Sequence, residues 1–171
     1  MEKLREAIMS KIILYMAISA DGFIASPNDE TPWSDEEWEA FQGFVKTCDV
    51  VLLGRRTYEI MAKDGDFVDG PEYVVVTNNA NGDTGDFRKI SIKTKDDLPQ
   101  VERLAAIGGG ELNGSLAKLG VIDEIILDVE PITLGSGKRL FGSHDVQLKM
   151  ELISSKKIGT STIQNQYMVV G

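Results

Sequence analysis

The sequence predicts an α/β protein with a mostly parallel central sheet and antiparallel strands at its C-terminal end. Continuous apolar runs, typical of strands buried on both faces of a parallel sheet, alternate with amphipathic helix patterns over most of the chain. The last two segments, 149–159 and 161–170, alternate apolar and polar residues as paired antiparallel strands do. Because 171 residues suit one domain of ordinary size, we expect all of these segments to share one core.

The first half of the chain has the predicted order β-α-β-α-β. Three apolar runs are its strands: 11–19, 49–54 and 73–77. Ser34 is the predicted cap of the first helix, because three acidic residues follow it and acidic side chains are favourable at the positive end of a helix. The second helix, RRTYEIMAK, follows the second strand directly.

The second half begins with a weaker pattern. A polar loop, an edge strand at 87–93 and a short helix within 95–104 are expected. The strong pattern then returns with a strand at 103–107, three glycines, a helix closed by Gly120 and a strand at 121–132. The segment LGSGKRLF after that strand is expected to be a loop.

Composition and charge exclude several classes of function. The net charge of −9 argues against sequence-independent binding of nucleic acid, which needs a basic surface. A single cysteine, Cys48, and a single histidine, His144, exclude an internal disulfide and a Cys/His zinc cluster, and no metal is expected. No apolar run reaches the roughly 18 to 20 residues that span a bilayer. We therefore expect a cytoplasmic protein without a membrane partner.

Glycines stand at two strand-to-helix junctions, LLGRRTYE at 52–59 and AIGGGELN at 106–113. A helix N-terminus offers unpaired N–H groups and partial positive charge, and glycine lets a phosphate come close to them. Ligands of open α/β sheets bind along the edge where parallel strands end, so two such junctions suit a dinucleotide. Tight turns that need glycine for conformational reasons alone are the structural alternative.

Two common nucleotide motifs do not fit. A Rossmann fingerprint would require glycine where Asn113 stands, and a P-loop would require Ser or Thr where Arg139 stands and glycine at Ile132. The pair Arg55-Arg56 beside Thr57 supplies local positive charge that suits a ribose 2′-phosphate. A solvated arginine pair is the alternative explanation.

Four segments together resemble the dihydrofolate reductase-like family, which includes the C-terminal reductase domain of riboflavin biosynthesis. They occur in the family's order: SADGFIA (19–25), GRRTYE (54–59), GGGELNGSLAKLGVIDEI (108–125) and PITLGSGKRLF (131–141). The resemblance implies a dihydrofolate reductase-like three-layer fold at 11–171, with an eight-stranded, mostly parallel sheet whose last strand is antiparallel. Residues 1–10 are then expected to be an N-terminal extension.

The resemblance also implies NADPH as the cofactor, lying across the carboxyl ends of the strands. Ala17 and Ile24 would flank the nicotinamide, Thr77 and Asn78 would contact the adenosine 2′-phosphate, and the triple-glycine loop would hold the pyrophosphate. The residues that the resemblance assigns to the cofactor are Ala17, Ile24, Gly54, Arg55, Arg56, Thr57, Thr77, Asn78, Gly108, Gly109, Gly110, Glu111 and Leu112.

Two acids are candidates for the catalytic group. In dihydrofolate reductase, a carboxylate on the first helix, a few residues after Pro-Trp, supports protonation of the substrate; here Glu37 follows Pro32-Trp33 if one deletion is allowed. Helix capping and solvation are the alternative role for Glu37. Asp21, in the SxDG turn that riboflavin-type domains share, is the rival contact to substrate, although Asp-Gly is also an ordinary turn.

The expected activity is hydride transfer from NADPH to a small planar C=N or C=O substrate of the pterin or pyrimidine type. One alternative is a 5-amino-6-ribosylaminopyrimidine reductase of riboflavin biosynthesis, although those enzymes carry glutamate where Gly108 stands. Another is a sensor module that binds NADPH without turnover. A homodimer is expected, because the C-terminal segment holds more apolar side chains than one small face hides: Ile153, Ile158, Ile163, Tyr167 and Val169.

Overall fold

The computed structural model describes residues 10–79 and 81–171, so nearly all of the predicted N-terminal extension lies outside the described residues. In chain order, the strands and α-helices of the described part are β1 (Lys11–Ser19), β2 (Phe23–Ala25), α1 (Asp35–Val45), β3 (Val50–Gly54), α2 (Arg55–Asp64), β4 (Glu72–Val76), β5 (Arg88–Ile90), β6 (Arg103–Ala106), α3 (Gly110–Lys118), β7 (Glu124–Glu130), β8 (Lys138–Arg139), β9 (Lys149–Ile158) and β10 (Thr162–Val170). In these ranges no helix combines the length and the hydropathy needed to span a bilayer.

The main sheet has eight strands in the order β5-β4-β3-β6-β1-β7-β10-β9. The strands from β5 to β7 in that order run parallel, whereas β10 is antiparallel to both β7 and β9. The predicted fold class, a mostly parallel sheet with antiparallel C-terminal strands, is therefore confirmed. The apolar runs in the sequence are explained by strands that are buried on both faces of the sheet. In the central strand β1, for example, Ile13 and Leu14 point to opposite faces and both are completely buried.

Helices cover both faces of the sheet, so the fold has three layers. α1 and α2 pack on the face that carries Ile13 and Tyr15, through Phe41, Val45 and Met61. α3 packs on the opposite face through Leu112, Leu116 and Ala117. Ser34 caps α1 as predicted, its hydroxyl accepting a hydrogen bond from the Glu37 N–H at 3.2 Å.

Two segments differ from the expectation. The segment LGSGKRLF, predicted as a loop, contains β8, which pairs antiparallel with β2 in a two-stranded ribbon that the sequence did not predict. A 3-10 turn at Lys95–Asp97 replaces the expected short helix. Strands of three and two residues are too short to show periodicity, which explains why the ribbon was missed. The ribbon matters for the site because it brings the SxDG turn and the LGSGKRLF loop to the carboxyl edge of the sheet.

Candidate active site

The two glycine junctions touch each other at the carboxyl edge of the sheet. β3 and β6 are neighbouring parallel strands, and the Gly54 N–H donates to the Gly108 carbonyl at 2.8 Å. The N-cap residues of α2 and α3 are Gly54 and Gly109, so neither helix has a side-chain cap. Two uncapped, partially positive helix ends therefore converge on one place, the arrangement that binds anions.

A cavity of about 870 Å³ opens over this edge. That volume lies toward the upper end of the roughly 300 to 1,000 Å³ usual for small-molecule sites. It brings together most of the predicted site residues: Ala17, Ile24, Glu37, Gly54, Arg55, Arg56, Thr57, Thr77, Asn78, Gly109, Gly110, Glu111 and Leu112. Asp21 and Gly108, which also lie in the described ranges, are not part of its lining.

The three glycines have different environments. Gly108 has a φ of +101°, and a β-carbon there would lie 3.1 Å from the Met16 methyl group. At Gly110 a β-carbon would lie 2.5 Å from the Arg139 carbonyl oxygen, so the fold itself requires glycine. At Gly109, with an ordinary φ of −74°, the nearest neighbour would be the Thr57 hydroxyl oxygen at 3.6 Å. Packing thus explains two of the glycines and leaves Gly109 as the one whose backbone is open to a ligand.

The two arginines already have carboxylate partners. Arg55 Nε donates to Glu59 Oε1 at 3.1 Å, and Arg56 donates to Asp29 Oδ2 from Nε at 3.1 Å and from Nη2 at 2.8 Å. A guanidinium has five N–H donors, so both side chains keep donors that a phosphate could engage. Any bound phosphate would share these arginines with the carboxylates.

Thr77 and Asn78 follow β4 and keep hydrogen-bonding capacity. Asn78 Oδ1 accepts from the Ser91 hydroxyl at 2.6 Å, which leaves its NH₂ group for a ligand. Thr77 Oγ1 accepts from the Asn79 N–H at 3.0 Å, which leaves its hydroxyl proton as a donor. The Glu111 carboxylate, in contrast, binds the Ser143 N–H at 2.7 Å, so this residue can offer the cavity its N–H group at the start of α3.

Glu37 lines the same cavity and is buried to 5% exposure in the first turn of α1. Burial, together with the neighbouring Asp128 and Glu130 carboxylates, raises the pKa of Glu37 to about 8. Glu37 therefore carries a proton at neutral pH and can donate it. The sequence pointed to this residue but gave no indication of Asp128, which lies in the apolar strand β7.

The cavity wall contains aromatic and acidic residues. Trp38 and Phe41 stack with ring centroids 5.3 Å apart, and both line the cavity with Trp33. Besides Glu37, four acidic residues line the cavity: Asp29, Asp64, Asp66 and Glu111. Apart from Glu111, the sequence did not assign these residues to the site, although Phe41 lies four residues after Glu37, the spacing that places both on one face of α1.

Asp21 has a different environment from Glu37. Its carboxylate accepts hydrogen bonds from the Ser19 hydroxyl at 2.6 Å and from the N–H groups of Leu134 and Gly135 at 3.0 and 2.8 Å. These bonds lower the pKa of Asp21 to about 2, with the Ser19 bond the largest cause. Asp21 is therefore ionised, and it joins the SxDG turn to the loop before β8.

The fold and the cavity together define a dihydrofolate reductase-like protein. Residues 92–164 match the model of the RibD C-terminal domain. The uncharacterized protein YwjB of Bacillus subtilis (strain 168) is 31% identical over 173 residues, which cover 92% of this chain and 97% of YwjB. The chain therefore belongs to the RibD C-terminal domain family and is related to the reductases of riboflavin biosynthesis.

Solved structures agree on the fold. A putative riboflavin biosynthesis protein from Shewanella sp. PV-4 is similar with a TM-score of 0.76 at 23% identity, covering 94% of this chain and 99% of that one. A deaminase/5-amino-6-(5-phosphoribosylamino)uracil reductase from Thermotoga maritima gives 0.72 at 15% identity, with coverage of 95% and 57%. Dihydrofolate reductase from Enterococcus faecalis, solved in complex with NADP(H), gives 0.70 at 16% identity, with coverage of 95% and 98%.

Proposed function

We propose that the protein is an NADPH-dependent reductase that transfers a hydride to a small planar substrate with a C=N or C=O bond, of the pterin or pyrimidine type. The observation that carries this proposal is that a protonated carboxylic acid, Glu37, shares one cavity with two uncapped helix N-termini. The first element is suited to proton donation and the second to the phosphates of a dinucleotide.

The residues present fit a nicotinamide dinucleotide. The pyrophosphate would take the N–H groups at the start of α3 beside Gly109, where no side chain intervenes. The free donors of Arg55 and Arg56, with Thr77 and Asn78, would hold a ribose 2′-phosphate and so favour NADPH. Ala17 and Ile24 are small or apolar lining residues against which a nicotinamide ring could pack.

In the proposed reaction the bound cofactor supplies the hydride, which reaches the carbon of the C=N or C=O bond. Glu37 gives its proton to the nitrogen or oxygen, so the substrate gains two electrons and two hydrogens while the dinucleotide is oxidised. The resulting Glu37 carboxylate takes up a proton from water before the next turnover. The apolar wall around Trp38 and Phe41 keeps that carboxyl group poorly solvated and hence protonated.

Acidic residues in the cavity wall suit substrates that carry amino groups. Asp29, Asp64 and Asp66 line the cavity with Glu37, and so do the basic residues Lys138 and Arg139. A phosphate near Asp64 and Asp66 would be repelled, whereas amino groups of a pterin or aminopyrimidine would be accepted as donors. Family membership supports the alternative of a riboflavin-pathway pyrimidine reductase. Its phosphoribosyl group, named for the Thermotoga enzyme, would have to lie toward Lys138 and Arg139 and away from Asp64 and Asp66.

NADPH oxidation with matched substrate sets tests the proposal. Dihydropterins, aminopyrimidines with and without a ribosyl phosphate, and simple carbonyl compounds would each be assayed at 340 nm. We expect turnover with unphosphorylated pterin-type or pyrimidine-type substrates, lost in Glu37→Gln and kept in Glu39→Gln, which changes an exposed acid on the same helix. Faster turnover of the phosphorylated pyrimidine would favour the riboflavin alternative. Tight NADPH binding without turnover on any substrate would indicate a sensor.

A further inference from the structure

A buried hydrogen-bond network contacts Glu37 on the sheet side. Asp128 of β7 is completely buried and is hydrogen-bonded to the Glu37 carboxyl group. Its own carboxylate accepts a hydrogen bond from the Tyr15 hydroxyl of β1 and another, at 2.9 Å, from the Gln164 amide of β10. Gln164 also donates to the Tyr15 oxygen at 3.3 Å. Three strands and one helix therefore meet in this network.

The hydrogen bonds decide which of the two acids carries the proton. Two adjacent carboxyl groups in a buried place cannot both ionise without strong repulsion. Burial raises the pKa of both Asp128 and Glu37. Asp128, however, accepts hydrogen bonds from two donors, Tyr15 and Gln164, and these favour its ionised form, whereas Asp128 and Glu130 both disfavour the ionised form of Glu37. The proton therefore resides on Glu37, the member of the pair that lines the cavity.

A third carboxylate strengthens this assignment. Glu130 accepts hydrogen bonds from the Ser34 N–H at 2.8 Å, the Ser34 hydroxyl at 3.0 Å and the Thr162 hydroxyl at 2.6 Å. These three donors fix the position of the Glu130 carboxyl group, which acts electrostatically on Glu37. In the described part of the chain, β7 therefore places two carboxyl groups, those of Asp128 and Glu130, beside Glu37. The neighbouring strands β1 and β10 contribute the neutral side chains of Tyr15 and Gln164 to the network.

We propose that Asp128 is a positioning residue that stays ionised and holds the proton of Glu37 in the cavity, ready for transfer to the substrate. This inference rests on the proposed function and names the group that prepares its proton donor. When the O–H bond of Glu37 breaks and the new bond to the substrate forms, two adjacent carboxylates remain. Their repulsion favours prompt uptake of a proton from water by Glu37, which restores the donor.

The titration of Glu37 in the cofactor-free protein tests the proposal without any need for activity. Carboxyl-stretch infrared spectroscopy, or carbon NMR with labelled glutamate, would follow the midpoint in the parent and in Asp128→Asn. We expect the midpoint to fall by at least one pH unit in Asp128→Asn, because a negative neighbour is removed. Glu124→Gln is the matched control: this buried acid lies on the same strand but pairs with Lys11 and Gln166, and its loss should leave the midpoint unchanged.

A second variant gives a change of opposite sign. Tyr15→Phe removes a donor from Asp128, so the pair should hold its shared proton more tightly and titrate at a higher pH than the parent. If the network had only a structural role, the two substitutions would shift the titration midpoint of Glu37 in the same direction or leave it unchanged. Unchanged midpoints in both variants would overturn the proposal, as would Asp128→Asn moving the midpoint upward.

The pH profile of hydride transfer separates this inference from the proposed function. If both are correct, the pH at which turnover declines should move down in Asp128→Asn by the same amount as the Glu37 midpoint, while the Kd for NADPH stays unchanged. If the Glu37 midpoint shifts as expected but the protein has no reductase activity, the role of Asp128 in holding the proton would be supported and the proposed function refuted. Full reductase activity in Asp128→Asn with an unchanged pH profile would support the proposed function and refute the role of Asp128.

Discussion

Gly109→Ala should weaken cofactor binding without weakening the fold. The backbone of Gly109 has a φ of −74°, which alanine adopts freely, and the added β-carbon would lie 3.6 Å from the Thr57 hydroxyl oxygen, an ordinary contact. Replacing glycine at such a position raises the free energy of unfolding by about 0.4 to 1 kcal/mol, because the unfolded chain loses conformational freedom. The same methyl group would stand where α2 and α3 begin side by side.

The effect on binding follows from that location. A phosphate bound at the start of α3 would have to move away from the added methyl group. It would then lose at least one hydrogen bond from the backbone N–H groups of the helix. Hydrogen bonds that involve a charged group contribute roughly 1.5 to 3 kcal/mol. A tenfold increase in the Kd for NADPH corresponds to about 1.4 kcal/mol, so we expect a tenfold increase or more. The predicted changes in stability and affinity therefore have opposite signs in one variant.

Fluorescence titration of NADPH and urea unfolding of the cofactor-free protein, on the same preparation, measure both quantities. Gly43→Ala is the matched control, since a β-carbon at Gly43 in α1 meets nothing within 4 Å and Gly43 does not line the cavity. It should stabilise the fold by roughly 1 kcal/mol through helix propensity and leave the Kd unchanged. NADPH affinity equal to that of the parent in Gly109→Ala would refute the assignment of this backbone to the pyrophosphate.

Three further predictions concern charge and assembly. Arg55→Ala should remove most of the preference for NADPH over NADH. Arg88→Ala removes an equal charge from a surface pair outside the cavity lining and should keep the preference; equal Kd values for the two cofactors in the parent would contradict the prediction. Because the pKa of Glu37 is raised from 4.5 to about 8, the free energy of unfolding should fall as pH rises through that window. The slope would approach roughly 1.4 kcal/mol per pH unit, and curves of equal slope for parent and Glu37→Gln would refute it. We also propose a homodimer through β9 and β10, where Leu152 is 58% exposed; light scattering should give twice 18.8 kDa, and Leu152→Glu should halve that mass. A monomeric parent at micromolar concentration would contradict the dimer.

Local patterns were sufficient to predict most of the elements but not how the strands are ordered. The apolar run of β1 and the Ser34 cap of α1 are local features, and both were predicted. The position of β1 between β6 and β7 depends on pairing between residues about a hundred positions apart, such as Ile13 with Glu124. Here the resemblance to a known family supplied what periodicity could not.

The candidate site shows the same division between local and long-range information. Of three consecutive acids, only Glu37 points inward, and its spacing of four residues from Phe41 and eight from Val45 was a usable helical signal. Asp128 gave no such signal, because an isolated acid in the apolar run EIILDVE does not reveal which group it meets across the sheet. Similarly, the sequence treated three glycines alike, although the contacts of two of them are with the protein itself.

The carboxyl groups of Glu37, Asp128 and Glu130 are hard to explain by stability alone. Buried ionisable groups without an opposite charge destabilise a fold, and apolar side chains of similar volume usually replace them without loss. Farther along α1, Val45 is completely buried in the core and does not line the cavity, so it shows how this helix packs away from the site. Departures from such local rules are expected at functional sites. Glu37 also lines the cavity at which the N-termini of α2 and α3 lie. The loss of stability caused by burying these acids is therefore best explained by the need to keep a proton available in the cavity.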